Sequence, residues 1–141
     1  NLGLTGILLV LSISQNYDLV FNQYNKQFRT SAWNSSEMGQ VIKEFGLVYG
    51  STDNAWVIGY PYWVDGRLVG MWAGVPNREF GIPLENLADT QKIPGAKLFV
   101  FYTADANASS TLESLYPQGS EIRYPSKTPD HDFMIYFVPN Q

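Results

Sequence analysis

The chain has no cysteine and a single histidine, His131, among its 141 residues. The first absence removes zinc–thiolate sites, iron–sulfur clusters, thiol nucleophiles and disulfides together. It does not fix the compartment, since many bacterial extracytoplasmic domains also lack cysteine. The lone histidine would have to serve any Ser-His-Asp triad, and no Gly-x-Ser-x-Gly elbow accompanies it. Positive charge is scarce too: nine Lys and Arg against thirteen Asp and Glu give a net charge of -4. That supplies no basic stripe for a phosphate backbone, so nucleic acid is set aside as a partner. Glycine-rich phosphate loops are missing, because the strand-like "AWVIGY" runs into "PYWVDG" and "LFVFY" into "TADANASS". Neither a Rossmann fingerprint nor a Walker loop follows a strand, and no cofactor is expected.

What is present is packing material. Hydrophobic residues make up 45% and charged residues 16%, a composition that folds, in a length that suits one domain with its own core. The chain opens on Asn1 and runs into "LGLTGILLVLSI", an apolar run of about a dozen residues, short of the ~20 that span a bilayer. The opening suggests a fragment with a neighbour upstream. Residues 1–14 read as a junction to an upstream membrane helix, a buried helix or a signal remnant without its basic leader. Residues 15–141 read as a single soluble domain.

Within that domain, Tyr17, Val20, Phe21, Tyr24 and Phe28 are spaced as one face of a helix over 15–29. "NSSEMGQVIKEFG" offers Asn34 as N-cap and Glu37 as its capping-box partner, with Met38, Val41, Ile42 and Phe45 as the buried stripe and Gly46 as the stop. The runs at 55–60 and 96–102 lack polar alternation, as strands covered on both faces do. Asp65 reads as the N-cap of a helix to Ala73, with Leu68, Val69 and Trp72 as its apolar spacing. "REFGI" is a weak strand, "PLENLADTQ" holds a helical turn, and Ser110 with Glu113 forms a capping box ahead of Pro117. "EIRYPS" and "FMIYFV" make an antiparallel pair around "KTPDHD". Alternating helices and buried strands predict an α/β fold: three layers, a mostly parallel sheet with helices on both faces, and an antiparallel C-terminal edge hairpin.

Two motifs bear on chemistry. In an open α/β sheet ligands gather at the carboxyl ends of the strands, where "YPYWVDGR" falls. Tyr62 or Trp63 would stack on a sugar ring, Asp65 would accept hydroxyl hydrogen bonds and Arg67 would hold a phosphate. The plainer reading has Asp65 capping a helix, Trp63 covering the core and Arg67 solvated. The second motif, Asp130-His131-Asp132, has the carboxylate spacing of metal-dependent sugar transferases. It also sits where Pro and Asp make a turn, which leaves Asp130 and Asp132 as weak metal candidates. The sequons at Asn34 and Asn107 fall at helix starts, where Asn and Ser act as caps.

Three stretches together, "QNYDLVFNQYNKQFRTSAWNSSEMGQVIKEF", "YPYWVDGRLVGMWAG" and "LESLYPQGSEIRYPSKTPDHDFMIYFVP", resemble the C-terminal soluble region of bacterial polytopic glycosyltransferases of the dolichyl-phosphate-mannose protein mannosyltransferase type. The resemblance covers most of residues 15–139. In such proteins an Asn-Tyr-x-x-x-Phe segment, here Asn16, Tyr17 and Phe21, follows the last membrane helix and leads to an extracytoplasmic α/β domain. The resemblance implies polyprenyl-phosphate sugar donors. It also implies a catalytic acidic residue in an early loop absent from this sequence, so no catalytic residue is carried over. The expectation is a non-catalytic domain on the extracytoplasmic face of a bacterial membrane. Its partners would be the membrane helices of the parent protein and a glycan or lipid-linked sugar. Two alternatives stay open. An independent carbohydrate-binding module would need Trp63, Asp65, Arg67 and Trp72 on one exposed rim, although the helix pattern buries Trp72. A stand-alone transferase would use Asp130 and Asp132 with a metal.

Overall fold

A computed structural model describes residues 2–26 and 34–140. The chain forms two compact units, Asn1–Ala32 and Trp33–Gln141. The first is one helix: α1, Leu2–Tyr17, continues without a break into a π-helical stretch, Asp18–Tyr24. Two separate segments are therefore not formed. No Gly or Pro interrupts "SISQNYDLVF", and nothing local ends the helix there. Asn22 and Gln23 each donate to the Asp18 carboxylate at 2.8 Å, bonds at the spacings a wide turn brings together. Gly3–Tyr24, 22 residues containing an 18-residue window of mean hydropathy 1.4, is long and apolar enough to cross a membrane, so the span exceeds the apolar run alone. Every residue from Gly3 to Lys26 is exposed. Phe28, the last position of the expected stripe, lies outside the described residues.

The second unit is an α/β fold around a five-stranded mixed sheet. In chain order it runs α2 (Ser35–Tyr49), β1 (Ala55–Ile58), α3 (Gly66–Ala73), β2 (Gly81–Ile82), a 3-10 helix (Leu84–Lys92), β3 (Lys97–Tyr102), α4 (Ala106–Leu115), β4 (Ser120–Tyr124) and β5 (Phe133–Val138). The spatial order is β2-β1-β3-β5-β4. β1 pairs parallel with β2 and β3, and β5 pairs antiparallel with β3 and β4. The C-terminal pair forms as expected, but only β4 is an edge, because β5 inserts between β3 and β4. Composition explains the choice: "FMIYFV" is apolar on both faces, whereas "SEIRY" carries the charges that suit an edge.

Strand alternation divides the core in two. Ala55, Val57, Leu98, Val100 and Phe133 pack with Met38, Ile42 and Phe45 of α2 and Val69 and Ala73 of α3. Ile58, Phe99, Phe101, Tyr136 and Val138 pack with Leu87 of the 3-10 helix and Ala108 and Leu112 of α4.

Several helix ends differ from their sequence signals. Asn34 precedes α2 but makes no side-chain cap. Its Nδ2 donates to Ser126 Oγ and, at 2.6 Å, to the His131 carbonyl, while Glu37 Oε1 accepts from the Lys127 amide at 3.1 Å. The two side chains staple α2 to the β4–β5 loop, and no capping box forms. Gly46 lies inside α2, which ends at Gly50 with φ 85°; a Cβ on Gly46 would meet Thr52 Cγ2 at 2.6 Å. α4 starts before Ser110, because the buried Asp105 carboxylate caps it from Ala108 N at 3.0 Å.

α2 and α3 are in close contact at Gly39. A Cβ there would lie 2.4 Å from Trp72 Cβ, 2.8 Å from the Val69 carbonyl oxygen and 2.9 Å from Ala73 N. Two of those three atoms are backbone, so a methyl group must push the helices apart. Gly39→Ala is expected to lower stability by about 1–3 kcal/mol, read as a drop in the urea midpoint at unchanged m-value. An unchanged midpoint would contradict this packing.

Candidate functional site

The connections that leave β1 and β3 lead to opposite faces of the sheet. From β1 the chain enters α3, in the core that holds Leu98 and Val100; from β3 it enters α4, in the core that holds Phe99 and Phe101. Adjacent parallel strands whose connections diverge leave a crevice between their carboxyl ends, the place where open α/β sheets bind ligands. The stretch 59–65 follows β1 and the stretch 102–105 ends β3 and leads to α4, so both lie at these carboxyl ends.

Three rings meet there. Tyr102, at the end of β3, lies 4.7 Å from the Tyr60 ring and 5.8 Å from the Trp63 ring, centroid to centroid. Trp63 is only 6% exposed and belongs to the core, so its ring supports the rim from below. Tyr60 is 38% exposed and Tyr62 is 98% exposed, so Tyr62 stands in solvent while Tyr60 is partly covered by Tyr102. Trp63 N donates to the Tyr60 carbonyl at 3.2 Å, closing a four-residue turn with Pro61 second and Tyr62 third. Tyr62 has φ 56°, a left-handed conformation that type II turns normally give to Gly or Asn. Holding a tyrosine in it costs about 1–2 kcal/mol, and such strain concentrates at functional sites.

Asp65 and Arg67 are engaged with each other. Asp65 Oδ1 accepts from Arg67 N at 2.9 Å, capping α3, and from Arg67 Nε at 3.2 Å, while Oδ2 accepts from Nη2 at 2.9 Å. The Arg67 side chain and amide hold the Asp65 carboxyl below its ordinary value. Trp72 is 60% exposed, contrary to the burial its spacing suggested. The inward face of α3 is Gly66, Val69, Gly70 and Ala73, and two glycines there let the helix lie close enough to exclude a larger ring. Trp63 and Trp72 thus do not share one exposed rim.

The Asp-His-Asp motif forms the expected turn. Asp130 takes φ 62°. Asp132 accepts from Ser126 N and Arg123 Nε, each at 2.9 Å. Among the described residues no group of three or more His, Asp or Glu side chains could hold a metal ion.

A concavity of about 410 Å³ lies at the amino end of β3, lined among others by Gln91, Lys97, Tyr116, Gln118 and Pro139. Lys97 is buried there, donates from Nζ to the Gly95 carbonyl at 2.9 Å and lies 5.8 Å from the Tyr116 ring. Burial pushes its amine below the ordinary lysine value. Sequence reasoning passed over both Lys97 and Tyr102. The available signals were a charge opening an otherwise apolar strand and a tyrosine at that strand's carboxyl end.

No protein-family model, no curated protein and no solved structure matches the chain.

Two outcomes test this account. The Ser126 amide and the Arg123 guanidinium hold the Asp132 carboxyl below its ordinary range. A folded-state value below the unfolded one stabilises fully above about pH 4 and loses that contribution as the pH falls through the folded value. Asp132→Ala should therefore lower Tm at pH 7, and the gap to the parent chain should narrow below about pH 4; a gap independent of pH refutes the linkage. At the rim, Tyr62→Asn should leave Tm unchanged or raised, because Asn tolerates the left-handed turn position. A clear fall in Tm would mean that the Tyr62 ring is part of the packing.

Proposed function

We propose that this chain is the non-catalytic α/β region of a membrane glycosyltransferase using polyprenyl-phosphate sugars, anchored on the extracytoplasmic face by the helix Gly3–Tyr24. Its sheet is the middle of three layers, and its tyrosine rim receives the acceptor or the lipid-linked donor. One observation carries the reading: a 22-residue exposed apolar helix stands in the same chain as an α/β unit whose diverging strand ends present Tyr60 and Tyr62. The resemblance in sequence supplies the substrate class.

The rim suits binding better than chemistry. Phenol rings offer apolar faces and hydroxyl groups to a sugar, whereas the nearest buried carboxylate, Asp105, caps α4. General acid–base catalysis needs a titratable side chain within hydrogen-bond reach of the substrate, and the carboxylates of Asp65 and Asp105 are turned to Arg67 and to the start of α4. Asp132 is likewise engaged in its turn, which argues against a transferase built on Asp130 and Asp132. An independent carbohydrate-binding module would use the same rim without the anchor.

The experiment is a titration of the full chain, reconstituted in phospholipid nanodiscs, with short oligosaccharides and a short-chain polyprenyl phosphate. The Trp63 indole N–H signal is followed, since its ring touches Tyr102. The expected result is a saturable shift, weakened about three- to tenfold by Tyr62→Asn, as loss of one aromatic contact worth ~0.5–1.5 kcal/mol implies. No indole shift at millimolar ligand would overturn the positioning role. Saturable binding by a chain that does not stay with the lipid would favour the independent module.

A further inference from the structure

Strand alternation puts Lys97 on the sheet face of Phe99 and Phe101, where packing alone would call for an apolar side chain. It is only 6% exposed, and lysine is rarely so buried unless a negative charge accompanies it. None of the ion pairs among the described residues includes Lys97, and the residues lining the concavity at the amino end of β3 include no Asp or Glu. We propose that this cleft binds an organic carboxylate, whose charged end becomes the counterion of Lys97 while its apolar body fills the rest of the space. The inference concerns the α/β unit alone and does not depend on a membrane anchor.

The amine is positioned but not neutralised. An ammonium group has three N–H donors, and one of those on Lys97 goes to the Gly95 carbonyl at 2.9 Å. The Tyr116 ring lies 5.8 Å from Nζ, at the outer reach of a cation–π contact. Carbonyl and ring orient the group without supplying a net charge, and the other donors have no protein acceptor among the described residues. Burial accordingly pushes the amine below the ordinary lysine value with no carboxylate to oppose it. A bound anion would reverse that direction.

The lining selects the class of anion. Lys97 is the one cationic residue there and no arginine joins it, so the charge matches a single carboxylate and lacks the fork that favours phosphate. Ile93, Leu115 and Val138 give the cleft apolar walls beside the Tyr116 ring. Its volume of about 410 Å³ falls in the range of roughly 300–1,000 Å³ common to small-molecule sites. A carboxylate group alone would leave most of that space unfilled. Tyr102 ends β3 at the other end of the strand, so this ligand is not the one received by the tyrosine rim.

The probes are benzoate and hexanoate, with benzamide and hexanamide as neutral counterparts and inorganic phosphate as a second anion. The full chain, labelled with [ε-¹³C]lysine and reconstituted in phospholipid nanodiscs, is titrated at neutral pH by NMR. The Lys97 signal is identified by its loss in Lys97→Met. The expected result is a saturable shift of that signal with at least one carboxylate, and a rise in the Lys97 pKa when the carboxylate is bound. The matching amide should bind about ten- to a hundredfold more weakly, the worth of one charge-assisted hydrogen bond, and phosphate should also bind more weakly. Methionine suits a buried strand position, so Lys97→Met should fold and should lose the carboxylate-dependent rise in Tm shown by the parent chain. If that variant does not fold, the Lys97 signal of the parent chain decides alone. Equal binding of carboxylate and amide would make the cleft merely apolar, and equal binding of phosphate would make it a reader of charge without a body. Either result overturns the inference. So does a Lys97 signal that no carboxylate moves at tens of millimolar, which would leave the amine as a cation held by Gly95 and Tyr116.

Discussion

Strand β3 sets the conditions for the rest of the α/β unit. Five successive residues, Lys97 to Phe101, are buried, and alternation sends Leu98 and Val100 to one side and Phe99 and Phe101 to the other. A strand apolar on both faces is stable only if both faces are covered. α2 and α3 must therefore lie on one side, and the 3-10 helix with α4 on the other. The connections from β1 and β3 consequently diverge, and the cluster of Tyr60, Trp63 and Tyr102 at their carboxyl ends follows from the same requirement that builds the core. Position and packing are one problem here: the candidate site lies where the double-sided burial of β3 ends.

The polar side chains sort accordingly. Asn34 and Glu37 tie α2 to the β4–β5 loop, Asp132 closes the turn of that loop, Asp65 and Asp105 cap helices, and Arg78 bonds the carbonyls of Thr52, Asp53 and Ala55. Groups of this kind attract notice in a sequence because carboxylates and amides do chemistry. In this fold their hydrogen bonds satisfy backbone groups that would otherwise be left unpaired at helix ends and in loops. Among the described residues, Tyr60 and Tyr62 at the strand ends and Leu68, Met71 and Trp72 on α3 are aromatic or apolar side chains left exposed.

Much of this was legible beforehand. The buried strands near 55 and 97 announced themselves by unbroken apolar runs, and the Asp65 cap by its position before the stripe of α3. The C-terminal pair was visible as two strands around a Pro- and Asp-rich turn. The misreadings share a cause, which is that local signals compete with tertiary ones. The Asn34 and Glu37 side chains reach partners some ninety residues away, a distance no capping rule sees. Gly46 looks like a stop but is a point of close approach to Thr52. Trp72 looks like core, yet Gly66 and Gly70 bring α3 too close to the sheet for its ring. The stretch from Tyr60 to Arg67 was readable as the end of β1 and the start of α3. The contacts of the Tyr102 ring with Tyr60 and Trp63 were not, because parallel pairing of β1 with β3 joins residues more than forty positions apart.

The account's central claim is that recognition occurs at the diverging strand ends. The most direct measurement is photo-crosslinking of the membrane-reconstituted chain with a photoreactive polyprenyl-phosphate sugar analogue, with the adducts mapped by mass spectrometry. The account predicts adducts on residues 60–63 and 102–105, suppressed by excess unlabelled analogue. Competable adducts confined to the Lys97 cleft, or none on either stretch, would contradict it.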